Sequence, residues 1–321
     1  MTDRFETFDD MYRSTIAGVL SAPEFHNAPR GNAEIEVLGF SAVLHNPLAR
    51  VCFSPLRRQN IVFNYAEALW YLSGRNDLAF IERYAPRMKR YSADGKTLPG
   101  TGYGRKLLAF GPDRIDQIER VIDILGNDDP DSKRAFLQIF DANEDLYRRN
   151  IDVSCTLGLQ LLLRDGALHM VAFMRANDAY IGFLSDVFSF TLIQEYIARR
   201  LGVCVGRYYH HVGSIHIYEP DLERARALAA EQRRAPGIGY PEMPATSPET
   251  IEDVLCAEGE IRKGNLDLDD VLRFSVPAYW RDILVLFWLH ARKPEVSARA
   301  LEALHPLHRH LFTQRRMEAV N

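Results

Sequence analysis

Apolar residues recur at helical spacing near the start of the chain. Phe8, Met11, Tyr12, Ile16, Val19 and Leu20 predict an amphipathic helix within residues 1–30, before a turn-rich stretch ending in Pro29-Arg30-Gly31-Asn32. Residues 34–44 then alternate, with Ile35, Val37 and Phe40 apolar, which is the period of a half-buried strand. From Asn60 to Leu72 a stripe of Ile61, Val62, Tyr65, Ala66, Leu69, Trp70 and Leu72 predicts a strong helix closed by Ser73-Gly74. Residues 83–101 are basic and polar, and Pro99-Gly100 marks a loop before Tyr103-Gly104-Arg105. A turn at 128–132 precedes a predicted strand over 135–140, opened by Lys133 and Arg134.

Two further strands, 157–164 and 167–175, flank Asp165-Gly166, a hairpin signal because both residues accept positive φ. A helix over 187–201 ends before Gly202 and places Asp186 in its first turn; a strand over 207–218 follows. Beyond Glu219 the pattern changes. Pro236, Pro241, Pro244 and Pro248 punctuate a linker-like segment, and helices are predicted at 249–261, 276–291 and 296–311. There is no internal repeat and no low-complexity tract.

At 321 residues and 47% apolar, the chain can bury a sizeable core. Its net charge of -4 gives no field for nucleic acid or an anionic membrane, though a local Arg cluster could still hold a small anion. The first residues lack the apolar core of a secretory signal, and the longest apolar run, 283–289, is too short to cross a bilayer. These features lead us to expect a soluble, reduced, cytoplasmic protein.

Four cysteines form no CxxC pair and fit no zinc pattern. Cys52, Cys204 and Cys256 lie in apolar stretches and read as packing thiols. Cys155 alone sits among small polar residues, in Asp152-Val153-Ser154-Cys155-Thr156. A cysteine nucleophile needs a nearby cation, helix start or base. Arg175, at the end of the neighbouring hairpin strand, could supply positive potential, although an ordinary surface ion pair is the commoner role. His210 and His216 are too far apart along one strand to chelate comfortably, so no metal site is expected. His216 and Tyr218 share a strand face and form a polar platform suited to sugar hydroxyls. Glu67 lies inside the helix of 60–72. On a solvent face it is ordinary; buried, it needs a partner or a job.

Taken in order, Glu67-Ala68-Leu69-Trp70, Tyr103-Gly104, Ser132-Lys133-Arg134, Cys155, Arg175-x-x-Asp178, Gly182 to Asp186 and His216-Ile217-Tyr218 resemble the thymidylate synthases and the related pyrimidine nucleotide hydroxymethylases. The resemblance runs from about residue 30 to 220. It implies an α+β fold, with a large mixed sheet flanked by helices in residues 1–235 and a helical C-terminal extension over 236–321. It also implies a homodimer. Cys155 would add to C6 of a pyrimidine, and C5 would then attack the one-carbon unit of 5,10-methylenetetrahydrofolate. Arg30 and Arg175 would hold the 5′-phosphate, with Lys133 and Arg134 contributed across the dimer interface. His216 and Tyr218 would bind the sugar, Glu67 and Tyr103 would organise water and proton transfer, and Asp178 would face the pterin.

Several positions depart from the family pattern. Asp186 stands where thymidylate synthases carry Asn. An amide offers one donor and one acceptor, as uracil requires, whereas a carboxylate only accepts and so suits the amino group of cytosine. Ala176 replaces a Ser and leaves room for a ribose 2′-hydroxyl, Lys133 replaces an Arg, and Thr156 replaces the His after the cysteine. The usual folate-closing C-terminus is not visible. The expectation is hydroxymethylation of CMP, with dCMP hydroxymethylase and thymidylate synthase acting on dUMP as rivals. A nucleotide-binding regulatory protein and a thiol hydrolase are the alternatives from other classes.

Overall fold

The computed structural model describes residues 3–147, 150–232, 235–292 and 296–316. Among the described residues, seven strands form one mixed sheet: β1 (Asp3–Phe5), β2 (Phe25–Asn27), β3 (Glu34–Leu44), β4 (Phe136–Gln138), β5 (Thr156–Arg164), β6 (Ala167–Asp178) and β7 (Cys204–Tyr218). The order is β1-β3-β7-β6-β5-β4, with β2 paired to β3. β6 and β7 run parallel, joined by the Gly182–Leu201 helix, while β3 pairs antiparallel with β7 and β5 with β6. The hairpin read from Asp165-Gly166 is present, with φ of 50° and 71° at the two turn residues.

The sequence undercounts the short elements. β1 and β2 are three-residue strands too brief for a periodic signal, and the strand expected over 135–140 is reduced to Phe136–Gln138. The helix expected at 187 begins at Gly182, so Asp186 lies beyond the first turn. The helix expected over 296–311 splits into Ala298–Ala303 and Pro306–Arg316, because proline cannot donate to the preceding turn. Cys204 and Cys256 are exposed, correcting their reading as packing thiols; Cys256 lies on the outer side of the Pro248–Lys263 helix.

The Ile61–Leu72 helix shows how the sheet and the C-terminal helices share one core. Asn60 caps it, its side chain accepting from the Phe63 amide, and all twelve helical residues are buried. It packs on the Gly182–Leu201 helix and on the Ala278–Ala291 and Pro306–Arg316 helices. Tyr65 Oη bonds His308 Nε2 at 2.9 Å, and Trp280, fully buried, donates from Nε1 to Thr246 Oγ1 at 2.9 Å. The C-terminal helices therefore share the core of the sheet domain through this helix.

This shared core predicts the effect of truncating Trp280. Trp280→Ala is expected to cost about 3–5 kcal/mol, measured by urea unfolding. A loss below about 1 kcal/mol would show that the C-terminal helices do not stabilise the sheet core.

Candidate active site

Cys155 sits in the turn that enters β5, and that turn is clamped from three sides. The Asp152 carboxylate accepts from the amides of Gly100 (2.8 Å) and Thr101 (2.9 Å) and from the Thr101 hydroxyl. A Cβ at position 100 would fall 2.1 Å from the Asp152 carbonyl oxygen, so this approach requires glycine. Lys106, 1% exposed, pairs with Asp145 at 2.6 Å and donates to Ser154 Oγ at 2.7 Å. Asp145 in turn accepts from the Ser154 amide at 2.9 Å. An extra residue in β5 between Thr156 and Gly158 shifts the register beside the thiol. Such bulges re-aim side chains near functional sites.

Arg175 straps the same turn from β6. Its Nε donates to the Ser154 carbonyl at 2.8 Å, and one terminal nitrogen reaches the Val153 carbonyl at 3.2 Å and Cys155 Sγ at 3.6 Å. Burial pushes the Cys155 thiol upward; Arg175 and Arg30 oppose that, while Asp186 and Asp152 reinforce it. Arg30, at φ 55°, donates to the Ile151 carbonyl at 2.9 Å. The expected grouping of Arg30, Arg175 and Cys155 is therefore present.

Asp186 projects into the same region from the Gly182–Leu201 helix. Its Oδ2 accepts from Asn177 Nδ2 at 2.7 Å. Asn177 Oδ1 faces His210 Nε2 at 3.0 Å, and His210 Nδ1 faces the Tyr208 hydroxyl at 2.7 Å. The chemistry fixes the direction: Tyr208 donates to Nδ1, Nε2–H donates to Asn177, and the Asn177 amide donates to Asp186. His210 is held neutral, its pKa lowered to about 3 by burial and then by His211. Asp186 rises to about 7 because burial outweighs the Asn177 bond.

Glu67 receives a hydrogen bond from Ser189 Oγ at 3.1 Å and is raised to about 8, by burial first and then by Asp186. Tyr103 stacks on Tyr71 with centroids 5.0 Å apart, and its hydroxyl accepts from Thr156 at 3.1 Å. Asp178 Oδ1 accepts from the amides of Tyr180 (2.9 Å) and Ile181 (3.1 Å), and burial lifts this carboxyl to about 6. Ala176 is half-buried and in register with Ser214 across β6 and β7. His216 and Tyr218 pack edge to face at 4.9 Å.

Lys133 and Arg134 are exposed on the turn before β4, and Arg134 pairs with Asp128 at 3.2 Å. Among the described residues, Arg134 donates to Asp128 and the Lys133 carbonyl accepts from Gln160, and neither residue is bonded to Cys155 within the chain. The sequence reading missed Asn177, His210, Tyr208 and Lys106. Asn177 was legible only as a spacer in Arg175-x-x-Asp178, and His210 only as a disfavoured metal ligand.

The thymidylate synthase family model matches residues 11–262. The chain is 34% identical over 192 residues to a deoxyuridylate hydroxymethyltransferase of Pseudomonas phage M6, covering 59% of this chain and 53% of the relative. It is 32% identical over 206 residues to the protein of the same description from Bacillus phage SP01, covering 60% and 53%. The chain thus spans about half the length of these two relatives. A thymidylate synthase of Corynebacterium aurimucosum is 27% identical over 259 residues, covering 79% of this chain and 91% of the relative. The fold matches thermostable thymidylate synthase A from Bacillus subtilis with a TM-score of 0.59 at 20% identity, over 71% of this chain and 86% of that one.

The raised Glu67 makes a pH-dependent prediction. The folded protein holds the Glu67 proton where the unfolded chain, at about 4.3, has lost it. This contribution to stability is present at low pH and is lost as pH rises toward about 8. Glu67→Gln is expected to flatten that fall, gaining on the order of 1–3 kcal/mol over wild type between pH 5 and pH 8 in urea titrations. Identical pH profiles would contradict a buried, proton-holding Glu67.

Proposed function

The chain belongs to the thymidylate synthase family, and on that premise we propose that it is a folate-dependent hydroxymethyltransferase that converts CMP to 5-hydroxymethyl-CMP. It acts as a cytoplasmic homodimer, with Lys133 and Arg134 reaching the partner's phosphate site and residues 236–321 forming a helical extension. On this reading its residue pattern is most like that of the CMP 5-hydroxymethylase of mildiomycin biosynthesis, and the role that follows is in nucleoside antibiotic biosynthesis. The observation that carries this reading is Asp186, a half-buried carboxyl oriented by Asn177 within reach of the electrostatics of Cys155 and Glu67.

Cys155 forms the bond to C6, favoured as thiolate by Arg175 and by Arg30. Asp186 accepts from the N4 amino group of cytosine. Because its pKa lies near 7, it can also share a proton with N3, which makes C6 a better electrophile. Methylenetetrahydrofolate, when bound, supplies the one-carbon unit at the oxidation level of formaldehyde. The residues present fit this cofactor: two backbone amides fix Asp178 through Oδ1, which leaves Oδ2 to accept from an N–H of the pterin edge. Glu67 and Ser189 hold the water that adds to the transferred carbon, and Tyr103 with Thr156 lines the thiol's surroundings. C5 loses its proton, water adds, and the Cys155–C6 bond breaks. CMP, methylenetetrahydrofolate and water give 5-hydroxymethyl-CMP and tetrahydrofolate without an external reductant.

A second reading, hydroxymethylation of dUMP, is favoured by the description shared by the two phage relatives. A neutral Asp186 also carries one donor and one acceptor, as uracil needs. Release of tritium from C5 separates the readings. Cytosine nucleotides are expected to exchange and uracil nucleotides to lag by at least about tenfold. Exchange from dUMP alone would overturn the cytosine assignment.

Two substitutions refine the assignment. Asp186→Asn is expected to move kcat/KM toward uracil nucleotides by roughly 10- to 100-fold relative to cytosine; an unchanged CMP/UMP ratio would remove the pairing role of Asp186. Ala176→Ser is expected to favour dCMP over CMP by severalfold, on the order of the cost of overpacking a well-filled site. An unaltered ratio of specificity constants would show that Ala176 does not make room for the 2′-hydroxyl.

A further inference from the structure

Glu34 has no part in the chemistry described above, yet it lies beside it. It begins β3 directly opposite Tyr218 of β7, so the two side chains leave the same face of the sheet. Glu34 is 6% exposed, and its Oε2 has no hydrogen-bond partner among the described residues. That oxygen stands 3.6 Å from His216 Nε2, too far for a hydrogen bond. His216 is lowered by burial and stays neutral, so no ion pair compensates the carboxylate. Among the described residues, His216 Nδ1 is also buried without a hydrogen-bond partner. Glu36, two residues along, is different: Asn27 and Ser214 both donate to it.

A buried acceptor without a donor is costly unless a ligand supplies the donor. Burial, Glu36 and Asp178 push Glu34 up to about 7. Burial raises the Tyr218 hydroxyl, and Glu34, Asp178 and Cys155 add to that, which ties the Glu34–His216–Tyr218 group to the surroundings of the thiol.

We propose that Glu34 is a specificity-determining residue whose carboxylate accepts a hydrogen bond from a ribose hydroxyl beside the His216–Tyr218 platform. This rests on the reading that a pyrimidine nucleotide binds with its sugar on that platform. Ribose presents two adjacent hydroxyl donors and deoxyribose presents one. His216 and Tyr218 satisfy the first, and Glu34 takes the second. A deoxyribonucleotide leaves the Glu34 oxygen without a donor, so the site discriminates by an unmet acceptor.

The test compares wild type and Glu34→Gln on the ribo and deoxyribo forms of whichever base releases its C5 tritium, so it does not depend on the base assignment. In Glu34→Gln, kcat/KM for the ribonucleotide is expected to fall roughly 10- to 100-fold, and for the deoxyribonucleotide by less than about threefold. Calorimetric binding of CMP and dCMP to Glu34→Ala without folate gives a second readout, with the ribo-to-deoxyribo affinity ratio falling in the same direction. A wild type that prefers ribonucleotides while both variants keep that preference overturns the role of Glu34 alone. A wild type that prefers deoxyribonucleotides on every base overturns the ribonucleotide reading and this proposal together.

Discussion

A carboxyl group largely shielded from water must find donors or keep a proton, and Asp186, half-buried, is placed so that both happen. Its donor comes from one direction, the Asn177 amide, which is itself fixed by His210 and Tyr208. Each member of this chain can point only one way once Asp186 accepts. That leaves the second carboxyl oxygen for a ligand and sets which oxygen can carry a proton. The β6–helix–β7 connection brings the four residues together, so the parallel crossover is a requirement of the site as well as of the fold.

The thiol depends on a separate constraint. The turn before β5 carries few apolar residues and would be mobile if left to itself. Asp152, the Lys106–Asp145 pair and Arg175 tie it down by hydrogen bonds. Burial raises the thiol while the arginines lower it, so Cys155 is held as a thiol that approaching positive charge or a ligand can shift. Glu67 and Asp186 sit on neighbouring helices; after burial, Asp186 raises the proton affinity of Glu67, and Asp178 raises that of Asp186. A single proton held on one carboxyl and a charge on the other suits a site that both polarises a base and places a water.

Much of the fold was legible in the residues. The strand at 34–44, the helix through Trp70 and the Asp165-Gly166 hairpin each carry a strong local signal, and each is present. The short strands at 3–5 and 25–27 were not, because three residues hold no period. Cys155 and Arg175 were legible as a pair because a hairpin brings the start of one strand to the end of the next. Asn177 and His210 were not, since 33 residues separate them and only the crossover makes them neighbours. The chemistry of Asp186 was only half legible. Its type argued for cytosine, but its pKa near 7, which lets it act as a donor too, depends on burial by elements distant in sequence. Glu67 illustrates the same limit: a pattern showed an apolar stripe, whereas all twelve helical residues are buried, against the Gly182–Leu201 and Tyr103–Leu108 helices as well as the C-terminal ones.

The account rests on a carboxyl-paired pyrimidine receiving a one-carbon unit that is then captured by water. The most direct measurement is the mass of the product formed from methylenetetrahydrofolate with CMP, dCMP and dUMP in parallel. The account predicts that CMP gains one CH2O unit and that tetrahydrofolate is released. A methyl group added to dUMP with dihydrofolate released, or no product from any cytosine nucleotide, would contradict it.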